Sequence, residues 1–330
     1  MKILIIRFSS IGDIVLTTPV IRCVKQQVQD AEVHFLTKKS YGSILESNPY
    51  IDKVILLDQS WDLMMHELKA ENYDYIIDLH HNLRTLKVKR GLKAAKHYSF
   101  HKLNVEKWLM TTLKVNRLPS VHIVDRYLDT VKELGVVNDG KGLDFFIPSK
   151  DEVRLADIPA SHHFGYIAVV IGAALATKKL PVHRLQQLCR KIDYPVMLLG
   201  GKEDMVEAEK IAAVDGIKIY NACGKFNLNE SADLIRKSHA VITHDTGLMH
   251  IAAALRKKII SVWGNTIPAF GMGPYYGDAS VKHIVSEVNH LRCRPCSKIG
   301  YKSCPKKHFK CMELQNIEAI ATMELPSLLQ

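Results

Sequence analysis

Three short polar segments, each at the end of an apolar run, carry the side chains whose types and spacing suit chemistry. Asp13 closes Ser9-Ser10-Ile11-Gly12-Asp13, which follows the apolar run 3–8. Small residues and a glycine there permit a tight strand-to-helix turn with exposed backbone N–H groups. A carboxylate in such a turn repels phosphate, so Asp13 suits a base facing a ligand; its residue type equally suits a helix N-cap. The segment is not G-x-G-x-x-G, which removes the main support for a nicotinamide or flavin cofactor.

The second segment reads His244-Asp245-Thr246-Gly247-Leu248-Met249-His250 and opens an alanine-rich helix. Backbone N–H groups at Thr246, Gly247 and Leu248, aided by the helix dipole, make a seat for a diphosphate. Asp245 as a cap and His250 as a satisfied core histidine are the plainer alternatives. Lys178 and Lys179, in the loop 172–181, are placed to neutralise phosphates, although a lysine pair also suits a solvated face. Glu203, after Gly200-Gly201, could accept hydroxyl hydrogen bonds from a ribose, or simply lie in a turn. The third segment, Asp78-Leu79-His80-His81-Asn82-Leu83-Arg84, ends a strand with polar and basic groups that could hold an acceptor.

Four cysteines close the chain's chemical inventory: Cys293-x2-Cys296-x7-Cys304-x6-Cys311, with His308 inside. One pair has zinc-ligand spacing and the other is loose. Zinc, a latent disulfide and reduced structural thiols all fit, with zinc the less favoured.

The elements that must position these groups alternate. Apolar runs at 3–8, 33–37, 53–58 and 75–79 read as strands, with helical patterns between them at 14–27 and 61–71. A second series follows, with strands at 166–171, 196–199, 218–220, 240–243 and 259–262 and helices at 181–191, 205–213, 230–237 and 248–255. Such alternation predicts parallel α/β sheets. The stretch 137–161, with Gly140, Gly142, Pro148 and Pro159, reads as the linker between domains 1–150 and 151–330. Two α/β units set a cleft between them, and open α/β sheets bind ligands beyond their strands' carboxyl ends.

Composition agrees with this reading. The chain has 330 residues, 47% apolar and 24% charged, which suits two globular domains and excludes collagen, coiled coil and wholesale disorder. No run reaches the ~18 apolar residues that span a bilayer, and Arg7 interrupts any signal-like start. A cytoplasmic protein with its seven cysteines reduced is expected. The net charge of +11 points to an anionic partner. It is concentrated: residues 84–117 hold ten Lys/Arg against Glu106, and 292–310 hold seven with no acid. Aromatics are sparse in the first block, and no recognition motif appears, so anionic lipid or phosphosugar fits better than nucleic acid.

SSIGDIVLTTP, YDYIIDLHHNLR, KKLP and HDTGLMHIAAAL occur collinearly and together resemble glycosyltransferase family 9, the lipopolysaccharide heptosyltransferases; the tail CRPCSKIGYKSCPKKHFKCM is also similar to that of many members. The resemblance covers essentially the whole chain. It implies an α/β GT-B fold, two Rossmann-like domains facing a cleft, with a C-terminal segment returning toward the first. It further implies inverting, metal-independent transfer, with no cofactor beyond a nucleotide-diphospho-sugar, typically ADP-heptose. The acceptor would be a lipopolysaccharide core, met at the inner face of the cytoplasmic membrane. Carried over by motif, Asp13 is the base, and Ser10, Gly12, His80, Asn82 and Arg84 lie on the acceptor side. Lys178 matches the lysine of K-x-W-P and meets the phosphates. Asp245, Thr246, Gly247, Leu248 and His250 line the diphosphate and sugar, with Glu203 toward the ribose. Leu180 stands where many members have tryptophan. A different nucleotide-sugar donor, or a non-catalytic binding relative, remains as the alternative.

Overall fold

The computed structural model describes residues 1–58, 60–92, 96–277, 281 and 283–322. Strand β1 (Lys2–Ile6) is apolar on both faces and wholly buried beyond Lys2, as the centre of a parallel sheet requires. It leads through α1 (Ile11–Val15) and α2 (Thr18–Gln27) to β2 (Glu32–Lys38) and β3 (Lys53–Leu57). The helical pattern at 14–27 is thus split. The Thr17 and Thr18 hydroxyls turn back to the carbonyls of Ile14 and Val15, and Pro19, which lacks an N–H, stands in the first turn of α2. After α3 (Trp61–Ala70) come β4 (Tyr75–Asp78), α4 (Leu83–Gly91) and β5 (Lys96–Ser99). The residues Asn104–Ser120, with α5 (Asn104–Trp108), belong to the other unit; α6 (Ile123–Leu128) belongs to this one.

The first unit therefore comprises Met1–Leu103, Val121–Phe146 and Tyr275–Asp278. Its sheet is parallel in the order β3-β2-β1-β4-β5, with Ile6 opposite Leu36 on one side and Asp78 on the other. Leu4, Ile6, Phe8, Leu36, Leu68 and Val88 share its core. Part of the expected linker is fixed here: buried Arg22 pairs with Asp139 at 2.8 Å, also pairs with Asp144, and donates to the Gly142 carbonyl.

The second unit comprises Asn104–Ser120, Ile147–Pro274 and Ala279–Gln330. Beyond α5 it runs β6 (Ile167–Val170), α7 (Val182–Lys191), β7 (Val196–Leu199), α8 (Met205–Ala212), β8 (Ile219–Asn221), α9 (Leu228–Lys237), β9 (Ala240–His244), α10 (Gly247–Ala254), β10 (Lys258–Trp263), β11 (His283–Glu287), α11 (Lys310–Glu313) and α12 (Ile317–Thr322). All pairings are parallel, in the order β11-β10-β9-β6-β7-β8. The last described helix, α12, packs on α7 of its own unit through Ile317 and Ile320. Residues 323–330, where a returning segment is expected, lie outside the described residues.

Each sheet reverses its winding once, between β1 and β4 in the first unit and between β6 and β9 in the second. Ligands bind beyond the carboxyl ends of the strands at such switch points. The segments Ser9–Asp13 and Asp78–Arg84 leave the first switch point; Gly172–Lys179 and Asp245–His250 leave the second. The polar strands β5 and β11 are edges that the apolar-run criterion passes over.

Candidate active site

In the first unit the candidate site is built around Arg7, the residue after β1, whose side chain is largely buried. Arg7 Nε donates to the Ser9 carbonyl at 2.8 Å, and Nη1 donates to the Leu79 carbonyl at 2.6 Å and to the Tyr127 hydroxyl at 3.1 Å. Its remaining nitrogen, Nη2, pairs with Asp13 Oδ1 at 2.8 Å. The other carboxylate oxygen, Oδ2, accepts from the Ser10 Oγ at 2.9 Å and the Ser10 N–H at 3.2 Å. Burial by itself would push the Asp13 carboxyl up. The Arg7 guanidinium and the Ser10 donors outweigh it and hold the group below its ordinary value of 3.8. Asp13 is thus the third residue of α1, with Ser10 as the cap and Asp13 reaching back to the Ser10 N–H. Asp13 is therefore not the N-cap that its residue type suggests: Ser10 takes that position, because the chain is still extended there and the helix begins at Ile11.

His80 lies beside this group, its ring edge-on to Phe8 at 5.5 Å between centroids. Burial, then the charges of Arg7 and Lys102, lower it to about 4, so it is neutral at physiological pH. The Asp78 carboxylate, fully buried, accepts from the N–H groups of His80 and His81 and pairs with Lys89 at 2.9 Å, fixing the turn. Asn82 is engaged: its Oδ1 caps α4, accepting from the N–H groups of Arg84 and Thr85 at 2.9 and 3.0 Å. The Arg84 side chain is exposed and borders an open depression of about 470 Å³ with Lys38, Lys39, Ser40, Asp58 and Trp61. Ser10 is exposed and Gly12 buried.

In the second unit the adjacent lysines separate. Lys178 Nζ pairs with Asp245 Oδ2 at 2.6 Å, and the same oxygen accepts from the Thr266 hydroxyl at 3.0 Å. Asp245 therefore does not cap α10; Thr246 is the cap residue, and the helix starts at Gly247, so its first N–H groups have no carbonyl within the helix to donate to. Lys179 points elsewhere, to Asp204 at 2.8 Å and Glu207 at 2.8 Å. Gly172 and Gly200 make room for that buried carboxylate: a Cβ would stand 2.3 and 2.8 Å from Asp204 Oδ2. Glu203 is exposed and folds its carboxylate over Gly201. His244 is buried, accepts from the Leu180 N–H at 2.9 Å, and is lowered to about 4 by burial and then by Lys179. His250 is buried in α10, and Leu180 joins the unit's apolar core.

The sequence profile of glycosyltransferase family 9 (heptosyltransferase) matches residues 62–305. The chain belongs to glycosyltransferase family 9. It is 25% identical over 296 residues to lipopolysaccharide heptosyltransferase 1 of Campylobacter coli, covering 81% of this chain and 84% of that one. It is 26% identical over 306 residues to lipooligosaccharide heptosyltransferase 2 of Haemophilus influenzae, covering 82% and 85%. Among solved structures, the ADP-heptose lipopolysaccharide heptosyltransferase II of E. coli superposes with a TM-score of 0.71 at 17% identity, over 95% of this chain and 98% of that one. E. coli heptosyltransferase WaaC, solved with ADP-2-deoxy-2-fluoro heptose, superposes with a TM-score of 0.65 at 20% identity, over 86% and 92%. The fold is the GT-B fold of these enzymes, and the chain is a glycosyltransferase.

Three residues that hold these candidate groups in their own units carry little signal in the sequence. Arg7 was visible only as a charge ending an apolar strand, a position where a buried cation needs partners. Tyr127 is remote in sequence and gave no signal. Thr266 follows β10 in a polar Asn-Thr pair, and only the adjacency of β9 and β10 brings it to Asp245.

The seven cysteines are all free thiols. Cys293 Sγ stands 3.8 Å from His308 Nε2. Burial, then Cys293, pushes the Cys296 thiol up to about 11, and burial pushes Cys311 up to about 12. Among the described residues, the trio of His, Cys, Asp or Glu whose ligand atoms lie mutually within 4.8 Å is Glu32, His34 and Glu71, not the cysteine tail. Lys2 and Lys53 already neutralise that trio's Glu71, at 2.7 and 2.8 Å.

Proposed function

We propose that this enzyme transfers heptose from ADP-heptose to a lipopolysaccharide-core acceptor, with inversion and without a metal ion, at the inner face of the cytoplasmic membrane. The observation that carries the reading is the Asp13 carboxylate, kept ionised by Arg7 and Ser10 at the carboxyl end of β1. The names of the relatives support the donor and the acceptor class.

In this mechanism the acceptor hydroxyl attacks the anomeric carbon as its proton passes to Asp13. The new C–O bond forms on one face while the bond to the diphosphate breaks on the other, and ADP leaves with the electron pair. Negative charge grows on the departing diphosphate. Lys178 and the N–H groups opening α10, at Gly247 and Leu248, are the donors suited to meet it, with the Thr246 hydroxyl beside them. Asp245 holds Lys178 in place, and the Thr266 hydroxyl holds Asp245. Arg7 weakens Asp13 as a base in the ground state. It also guarantees the ionised form, and the attacking oxygen becomes acidic as its bond to carbon forms.

The test is direct. Purified enzyme is given ADP-heptose, UDP-sugars and GDP-sugars with a heptose-free lipopolysaccharide core, in the presence of EDTA. Heptosylated product of inverted anomeric configuration, formed from ADP-heptose and undiminished by EDTA, is expected. Product from another donor only, retention of configuration, or loss of activity in EDTA would overturn the corresponding part. Tight nucleotide binding without any transfer would make the chain a binding relative.

A further inference from the structure

We propose that α5, the turn of π-helix that continues it (Leu109–Leu113), and the basic cysteine loop of the same unit form a docking surface for an anionic lipid bilayer. No side chain of α5 or of Leu109–Leu113 is buried. Val105, Trp108 and Leu113 are 66%, 55% and 56% exposed. Val105, Trp108 and Leu109 fall at i, i+3 and i+4, which is one stripe of a helix.

So short a helix does not hold itself together in water. Its place is set by polar ties to the cysteine loop. Lys114 Nζ donates to the carbonyls of Cys293 and Pro295 at 3.3 and 2.7 Å, and Lys298 Nζ donates to Asn104 Oδ1 at 3.4 Å. The Lys107 ammonium lies 5.9 Å from the centre of the Phe270 ring. These ties hold the segment on the loop and leave Val105, Trp108 and Leu113 exposed.

The loop extends the patch with the same chemistry. Ile299 is 60% exposed, Tyr301 is exposed, and Lys298, Lys302, Lys306, Lys307 and Lys310 stand in solvent with no acid between Arg292 and Lys310. A bilayer interface takes this combination: apolar side chains below the headgroups, Trp and Tyr level with them, lysines against anionic phosphates. A single-stranded RNA would use the cations and leave Val105 and Leu113 in water. Among the described residues no helix is long and apolar enough to cross a membrane, so the contact is with the surface. The inference rests on the proposed location at the cytoplasmic membrane and names the surface that meets it; the vesicle test contains no donor or acceptor, so its outcome is separate from that of the transfer assay.

The test uses the full chain and vesicles, with no donor present. Sedimentation with phosphatidylglycerol-rich vesicles is compared with phosphatidylcholine vesicles, and the Trp108 emission is obtained as the difference between wild type and Trp108→Phe. Binding to the anionic vesicles, with a blue shift of Trp108, is expected. Lys302→Glu with Lys306→Glu should weaken it roughly 10- to 100-fold, and Trp108→Ala with Leu113→Ala should remove most of the rest. Unchanged thermal melting of each variant confirms that it folds. Equal partition onto both lipids, binding without a Trp108 shift, or binding insensitive to both double substitutions would overturn the proposal. So would single-stranded RNA that displaces the vesicles and leaves Trp108 unshifted.

Discussion

Arg7 Nη2 lies 2.8 Å from Asp13 Oδ1. The guanidinium is held by Ser9, Leu79 and Tyr127 at the same time, so it cannot swing away when the carboxylate takes a proton. The pair fixes both the direction and the charge state of the proposed base.

Asp13→Asn keeps the size of the side chain and removes the base. Turnover should fall roughly 10²- to 10⁴-fold, while donor affinity by calorimetry stays within about twofold of wild type, since the residues assigned to the donor are in the other unit. An equal loss in donor affinity would make the role structural.

Arg7→Met should move the acidic limb of the kcat/KM profile. Asp13 must be ionised to act, and Arg7 is what holds its folded pKa below 3.8 against burial. Without that charge the pKa rises, the limb moves to higher pH, and the loss of activity is greatest in acid. Arg7→Lys should restore part of the shift. A profile that falls uniformly, with no displacement, would count against the coupling.

Lys178 and Lys179 are neighbours with opposite expected phenotypes. Lys178→Ala should weaken donor binding or turnover roughly 10- to 100-fold, the size of a charge-assisted contact, with little effect on melting. Lys179→Ala leaves the Asp204 carboxylate, which is 2% exposed, without its cation. It should destabilise the fold by about 3 kcal/mol, read by urea denaturation, with donor affinity preserved in what remains folded. Exchange of the two phenotypes would reverse the assignment.

Glu71 supplies a test of acid stability. Its hydrogen bonds to Lys2 and then to Lys53 hold it at about 2 against an ordinary 4.5. A depressed carboxyl stabilises the fold above its unfolded pKa and stops doing so as the pH falls through its folded one. Glu71→Gln should therefore cost about 1 kcal/mol at pH 7, with the difference from wild type shrinking between pH 4.5 and 2. A difference that does not vary with pH would show that packing, not charge, is lost.

Much of the fold was legible because buried parallel strands are apolar runs and the helices between them carry their own signals. Asn82 and Asn227 begin α4 and α9 with side-chain caps that local sequence specifies. The edge strand β5, KHYS, was not legible, since an edge needs only one neighbour and little burial. The break between α1 and α2 depends on hydroxyls that bond their own backbone, which a hydrophobic pattern does not register.

The amino-acid sequence by itself determined the two α/β series, the family resemblance and the segments that carry the chemistry, because these depend on local pattern and on motifs. It also located the positive charge in two blocks. Only the tertiary structure decided what each group touches. Arg7, Asp13 and Tyr127 meet because α6 packs on α2 in the unit that contains β1. Asp245 meets Lys178 and Thr266 because β9 lies between β6 and β10. Packing also separated Lys178 from Lys179, and it placed Asn104–Ser120 with the cysteine loop, bringing charge from both blocks into one unit. These outcomes are set by long-range contacts, which no spacing along the chain encodes.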